Sequence, residues 1–396
     1  MLKASTGSSV NSDARSAGRE AAEKIRRHLE KPTVIFAYAS SEYYGNFAEM
    51  LAGINEIFPG APVIGHTSWH GVVLPEGLIS GRYFLGLMAL ADPDLTVGVA
   101  SAVNQTNDAE GAMAAGREMA LAAMAKAGRK NAPDSFYMTA LPGFEEFYLK
   151  GITEVIGRKP MFGGSAIDNQ VTGDWDVYTD EGVVGYGAAV SFFYDGRLPV
   201  THFTSNPYYE TEEKILILKM RTPRKLVTVS GEPLIDRIAD RTGCSREFLT
   251  GGDIQMATIL EPIGVKDVLG TLTSLRLPMS FSADGTFDFG SNLAEGTAGI
   301  HMKATVSDLV ASGAQELNWL ADIMEQPAGA YHLSMNYGRG MMMRDEGMLT
   351  EAVRLICNAA GHVPFIMPFT LAEYGFVEDG RNTCGNLMLS FAGFPE

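Results

Sequence analysis

Two stretches decide how this chain folds: Leu51–Ser68, "LAGINEIFPGAPVIGHTS", and Leu149–Ala166, "LKGITEVIGRKPMFGGSA". They align without a gap at an offset of 98 residues, so that Leu51, Gly53, Ile54, Glu56, Pro62 and Gly65 meet Leu149, Gly151, Ile152, Glu154, Pro160 and Gly163. Each follows an apolar run, "TVIFAYA" or "SFYMTAL", and each ends in small and polar side chains. The repeated unit is therefore strand, helix, strand and small-residue loop, and coincidences in register point to a duplication. A fainter third copy is "VRLICNAAGHVPFIMPFTLAEYGFV", Val353–Val377.

Outward from the repeat, helical spacing recurs at Ala14, Ala17, Ala21, Ile25 and Leu29, from about Asp108 to Lys126, from Val306 to Met324 and from Glu346 to Asn358. Strand-like runs such as "VVGYGAAVSFFY" and "AYHLSMNY" lie between them. The fold class expected is α/β, with mixed α+β layers in two tandem αβ halves. The texture turns polar at "SNPYYETEEK", Ser205–Lys214, and a strand, a turn at Gly231 and a short helix from Pro233 follow. The expected division is an N-terminal helical extension over 1–30, one domain over 31–220 and a second over 221–396.

Composition narrows the partners. A net charge of −16 disfavours nucleic acid, whose phosphate backbone needs a basic face. The opening "MLKASTGSSVNSDARSAGREAAEK" is polar throughout and carries no secretory signal, which suggests a cytoplasmic protein. "YFLGLMALADPDLTVGVASAV" is broken by Asp92, Pro93 and Asp94 and reads as two buried strands, so no membrane insertion is expected. Cys244, Cys357 and Cys384 are scattered and form no zinc pattern.

In open α/β layers, ligands sit beyond the carboxyl ends of strands. The loop His66, Thr67, Ser68 and its counterpart Gly163, Gly164, Ser165, Asp168, Asn169 occupy that place, with backbone N–H groups and hydroxyls for a polar ligand. A plain tight turn is the alternative reading of Gly-Gly-Ser. Arg339, between two glycines, suits a bidentate carboxylate, and Glu373 suits an ammonium group; the two would equally pair with each other. His66 and His70 have the i, i+4 spacing of a helical metal site, but their surroundings are strand-like, so no metal is expected. No phosphate loop, complete dinucleotide fingerprint or nucleophile elbow is present, and the chain is read as a non-enzyme. The methionines of "GRGMMMRDEGM" suit core filling, an adaptable pocket or a partner surface.

The ordered series "PTVIFAYAS", "PGAPVIGHTSWHGVVLPEG", "KPMFGGSAIDN", "GVVGYGAAVSFFYDG", "SGEPLIDRIADRTG", "MNYGRGMMM" and "VPFIMPFTLAEYGFVEDG" resembles the FIST sensory module, with its N-terminal and C-terminal parts. The resemblance implies an intracellular sensor that binds a small ligand, an amino acid or small carboxylate, and signals to a separate output protein. It implies no cofactor; the alternative is haem, as in nitric-oxide sensors that resemble it. The chain departs from the family pattern at Asn336, before Arg339 and Gly340, and at Ala372, before Glu373. The expected site is one pocket between halves, lined by both loops and charged by Arg339 and Glu373.

Overall fold

The computed structural model describes the chain apart from residues 252–253, 268, 283 and 378–379, and apart from the side chains at 215, 216 and 218. Residues 378 and 379, the Glu-Asp of the last quoted motif, lie outside the described residues.

The repeat is larger than the aligned stretches. Unit one runs β1 (Lys3–Ser9), α1 (Ala14–Arg26), β2 (Val34–Ala39), α2 (Phe47–Ile57), β3 (Val63–Thr67), a hairpin of β4 (Gly71–Leu74) and β5 (Gly77–Ser80), and a return strand β6 (Leu85–Ala91). Unit two has the same order: β7 (Thr96–Val103), α3 (Ala109–Lys126), β8 (Ser135–Ala140), α4 (Glu145–Ile156), β9 (Met161–Ser165), hairpin β10 (Val177–Thr179) and β11 (Gly182–Val183), and β12 (Gly187–Tyr194). Unit three opens with β13 (Val200–Thr204) and is then interrupted.

The interruption is an eight-stranded sheet of β14 (Tyr209–Thr222), β15 (Lys225–Val229), β16 (Glu232–Pro233), β17 (Ile263–Lys266), β18 (Thr273–Arg276), β19 (Pro278–Phe281), β20 (Phe287–Phe289) and β21 (Ala298–Lys303). It carries the short helices α5 (Leu234–Thr242), α6 (Arg246–Thr250) and α7 (Ile254–Thr258). Unit three resumes with α8 (Val306–Ile323), β22 (Ala328–Asn336), α9 (Tyr337–Asp345), α10 (Leu349–Ala360), β23 (Phe365–Thr370), hairpin β24 (Glu373–Phe376) and β25 (Asn382–Gly385), and β26 (Leu389–Pro395). The first half of the chain thus holds two copies of the unit, and the second half holds the third copy around its insert.

Three six-stranded sheets follow one plan. Their orders are β1-β6-β2-β3-β10-β11, β7-β12-β8-β9-β24-β25 and β13-β26-β22-β23-β4-β5. In each, a parallel pair sits beside an antiparallel return strand, and the hairpin at the far edge belongs to another unit. Unit one lends its hairpin to unit three, unit two to unit one, and unit three to unit two. The exchange closes a ring. On its axis the rings of Phe36, Tyr137 and His332, from equivalent positions on β2, β8 and β22, form a nearly equilateral triangle with centroid separations of 5.2, 4.9 and 5.1 Å.

Helix pairs cover the outer faces. α1 meets α2 at Gly18 and Gly53, and α3 meets α4 at Gly116 and Gly151; a Cβ on any of these would come within 2.4 Å of a carbonyl oxygen on the partner helix, so only glycine permits the approach. The same offset carries the surface pair Arg19 with Glu56 onto Arg117 with Glu154.

Two expected boundaries differ. Residues 1–30 are not only a helical extension, because β1 pairs along its length with β6. Its run "KASTGSS" lacks the bulky side chains of a recognisable strand because α1 lies close against it: a Cβ on Gly7 would sit 2.1 Å from the Ala21 carbonyl oxygen. The division at 220/221 falls inside β14, and the chain leaves the third sheet earlier, between Thr204 and Tyr209, within the polar stretch.

Candidate ligand site

The glycine and hydroxyl loops meet, and they spend their polar groups on one another. Thr67 donates its N–H to the Asp176 carbonyl at 3.0 Å, and its Oγ1 accepts the Asp176 N–H at 3.2 Å. The Thr67 carbonyl accepts from Ile167 at 3.1 Å, and the Ser165 carbonyl accepts from Leu371 at 3.3 Å. Ser68 Oγ donates to the Gly71 carbonyl at 2.6 Å and accepts the Phe369 N–H at 2.9 Å. Each strand end is therefore pinned to the next around the ring.

This accounting corrects the expected pocket. His66, Thr67, Ser68, Gly163, Gly164 and Ser165 are buried. His66 holds its Nδ1 2.8 Å from the Thr67 carbonyl oxygen and packs on Tyr38, and burial pushes its pKa down to about 4, so it stays neutral. Gly163 donates its N–H to Ser390 Oγ at 3.2 Å, while Gly164 backs onto Thr370 and Ala372. Ser165 Oγ donates to Glu145 at 3.0 Å and meets the Tyr374 hydroxyl at 2.6 Å. Asp168 accepts backbone N–H groups from Gln170, Thr172, Gly173 and Asp174 and so closes its own loop, and Asn169 Oδ1 accepts the His70 N–H at 2.6 Å.

Arg339 and Glu373 are also sealed. Asn336 caps α9 by accepting the Gly338 N–H, which turns Arg339 inward; its guanidinium donates to the carbonyls of Leu387 and Ser205 and to Ser312 Oγ. Glu373 accepts from Thr370, Asn336 and the Met388 N–H; burial nonetheless pushes its pKa up to about 8. Arg339 and Glu373 form no ion pair among the described residues, and Arg339 shares no hydrogen-bond partner with Ser165. A Gly-flanked arginine looks available in sequence because the carbonyls that surround it come from residues far along the chain.

The open space lies one loop away. A cavity of about 410 Å³ sits at the carboxyl end of β8, bordered by Leu141 and Pro142, by Phe144 and Tyr148 at the start of α4, and by Trp175 and Asp176 of the loop that Asp168 closes. Tyr44 and Tyr186 flank its mouth with 60% and 70% of their surface exposed, unusual for aromatic rings without a partner. The Asp176 carboxylate makes no hydrogen bond or ion pair among the described residues; burial first, and Asp174 second, push its pKa up to about 6. Asn107 and Thr172 add polar groups to the wall. A groove of about 270 Å³ adjoins it through the shared Tyr44 and Thr172 and is bordered by Asp168 and Asn169. Asp176 was invisible in sequence: its position is set by Thr67, and the partners that bury it are remote.

A haem would need an imidazole facing a slot. His70 borders a space of about 520 Å³, where its ring stands edge-on to Trp69 at 4.7 Å and Arg344 lies over that indole. Burial first, and that guanidinium second, depress the histidine's basicity. Among the described residues no three histidine, cysteine or acidic side chains gather as a metal site, and no helix is long and apolar enough to cross a membrane.

The ring of α/β units carries an aromatic cavity with an acidic floor at a strand end, where ligands sit in open α/β layers. Residues 33–232 match the FIST N domain, and the chain belongs to that family, whose domains are sensory. The match ends within the inserted sheet. No curated protein matches the sequence. Among solved structures, the chain is similar to the cyanuric acid hydrolase from A. caulinodans at 8% identity, with all of both chains covered and a TM-score of 0.37. It is similar to a cyanuric acid hydrolase described as an evolutionary innovation by structural concatenation at 10% identity, again over all of both chains, with a TM-score of 0.33. PurLQS from Thermotoga maritima aligns at 10% identity over 99% of this chain and 72% of that one, with a TM-score of 0.23.

Proposed function

We propose that the protein is an intracellular sensor that binds a small amine-bearing ligand, an amino acid or a close relative, in the 410 Å³ cavity and reports to a separate output protein without turning the ligand over. The observation that carries this reading is Asp176: an unpaired, buried carboxylate on the floor of a cavity walled by Tyr44, Phe144, Tyr148, Trp175 and Tyr186. An ammonium group satisfies both features, since aromatic faces attract a cation and the carboxylate neutralises it. Asn107 and Thr172 would receive the ligand's carboxylate.

The reading also supplies a route outward. Phe144 and Tyr148 border the cavity, and between them Glu145 and Glu146 each hold Arg224 of the inserted sheet at 2.6 Å. Although burial works against its charge, those carboxylates raise the Arg224 pKa. A ligand that shifts the start of α4 therefore pulls on the insert. A C-terminal sensory part, from the inserted sheet onward, belongs to this same proposal.

The test is a thermal-shift screen with amino acids, small amines and small carboxylates, in which a ligand at about a hundred times its Kd stabilises by about 2.7 kcal/mol. Amine-bearing compounds should stabilise the wild type and not Asp176→Asn, and should be recovered unchanged. Stabilisation by amine-free carboxylates alone, or a hit retained by Asp176→Asn, overturns the assignment. A Soret band after haem supplementation would replace it with the haem reading.

A further inference from the structure

Another face of α4 borders a second cavity, of about 300 Å³, between Glu146 and Lys150 on the helix, Arg381–Cys384 at β25, and Arg276 and Asn292 of the inserted sheet. Four cationic side chains surround this space, Lys150, Arg158, Arg276 and Arg381, in a chain whose net charge is −16. Among the described residues the sole carboxylate on its wall is Glu146, and it is already committed: Oε2 accepts from Arg224 at 2.6 Å and Oε1 from the Asn292 N–H at 2.7 Å.

Arg276 is the informative group. Its Nε donates to the Asn292 carbonyl and its Nη1 to the Leu275 carbonyl, both at 2.9 Å. Neither it nor Lys150 nor Arg158 enters an ion pair among the described residues. Burial pushes the Arg276 pKa down; Glu146 nearby works against that shift and the Arg224 cation adds to it. Arg276 is half-buried, and charges withdrawn from water are ordinarily paired. Here the unpaired cation borders open space instead of packed side chains, with two further unpaired cations around it.

We propose that this cavity binds a small dianionic oxyanion, a phosphate monoester or a dicarboxylate, with the Arg276 fork gripping one oxyanion group and Lys150 and Arg158 completing the charge. The size admits a small metabolite. Bound there, the anion would join α4, the β24–β25 hairpin and the insert. The two cavities share no lining residue.

The test uses the full chain, with inorganic phosphate and succinate as probes at constant ionic strength set with chloride, read by thermal melts and titration calorimetry. At least one probe should raise the melting temperature at concentrations on the order of ten millimolar, and phosphate alone or succinate alone tells which source is used. The exposed double variant Lys150→Gln, Arg158→Gln should melt like the wild type without probe and bind about tenfold more weakly. Arg276→Lys, which keeps the charge and loses the fork, should weaken binding as well, and Asp176→Asn should leave it unchanged. No shift with either probe, or a shift that both cation variants retain, overturns the proposal.

Discussion

Asp176 makes stability and ligand binding oppose each other, and the conflict is measurable. In the unfolded chain its carboxyl titrates near 3.8; in the fold, burial and Asp174 move it to about 6. A carboxyl raised on folding binds its proton more tightly in the native state, so between these two values stability falls as pH rises. The gap is about two pH units, and at 1.36 kcal/mol for each the ionised side chain costs about 3 kcal/mol at neutral pH. Asp176→Asn cannot ionise. Urea unfolding of both proteins from pH 4 to pH 7 should therefore give curves that diverge with rising pH, the variant ending about 2–3 kcal/mol more stable at pH 7. Comparison with the variant removes the contribution of Glu373, which titrates in an overlapping range. An amine ligand should reverse the order at neutral pH and lose affinity below about pH 6 as Asp176 protonates. Parallel curves across the whole range would refute the reasoning, since they would mean that Asp176 is solvated like an ordinary carboxylate.

Glu373→Gln should unfold within about 1 kcal/mol of the wild type at pH 4, where the carboxyl is largely protonated in both states, and flatten the stability loss that the raised carboxyl produces from there up to pH 8; an unchanged slope over that range would assign the loss elsewhere. Arg224→Gln leaves Glu145 and Glu146 facing each other without their cation and should cost about 3–5 kcal/mol in urea unfolding, part of it restored by adding Glu146→Gln. Gly65→Ala and Gly163→Ala place a Cβ 1.7 and 2.0 Å from the carbonyl oxygens of Ala37 and Met138, which belong to paired backbone and cannot retreat. Each should cost about 3 kcal/mol, against about 1 kcal/mol for Gly128→Ala, which has open space around it; equal losses at all three positions would exclude close packing as the cause.

The 98-residue offset was legible because the same contacts recur in both copies: α2 and α4 start at positions 47 and 145, and β3 and β9 at 63 and 161. Its extension to α1 and α3 was there to be read in Ala17-Gly18-Arg19-Glu20 and Ala115-Gly116-Arg117-Glu118. The hairpin exchange was not, because alternating apolar residues say that Val72 and Val73 face a core but not that their partners are Pro368 and Met367. The same limit governed the site. Glycines and hydroxyls at strand ends are the signature of backbone approach, and here the approaching backbone is the protein's own: Thr67 receives Asp176 where a ligand was expected. The two loops expected to orient a polar ligand are joined through their own backbone, Ile167 donating to the Thr67 carbonyl.

The ring of lent hairpins has a consequence for how such a chain could have arisen. A lone unit would carry a hairpin with no sheet to join and a parallel strand with no neighbour on one side, so its missing contact and its surplus are the same piece of structure. Three separate copies would cure both faults at once by closing into a cyclic trimer, much as exchanged segments stabilise oligomers. Joined in one polypeptide, the copies no longer depend on concentration to find each other, and they are free to differ. Phe36, Tyr137 and His332 are what that freedom looks like at a single position on the axis. The inserted sheet and the two unlike cavities beside α4 are what it looks like at the periphery: specialisations that strict symmetry would have forced on all three copies alike.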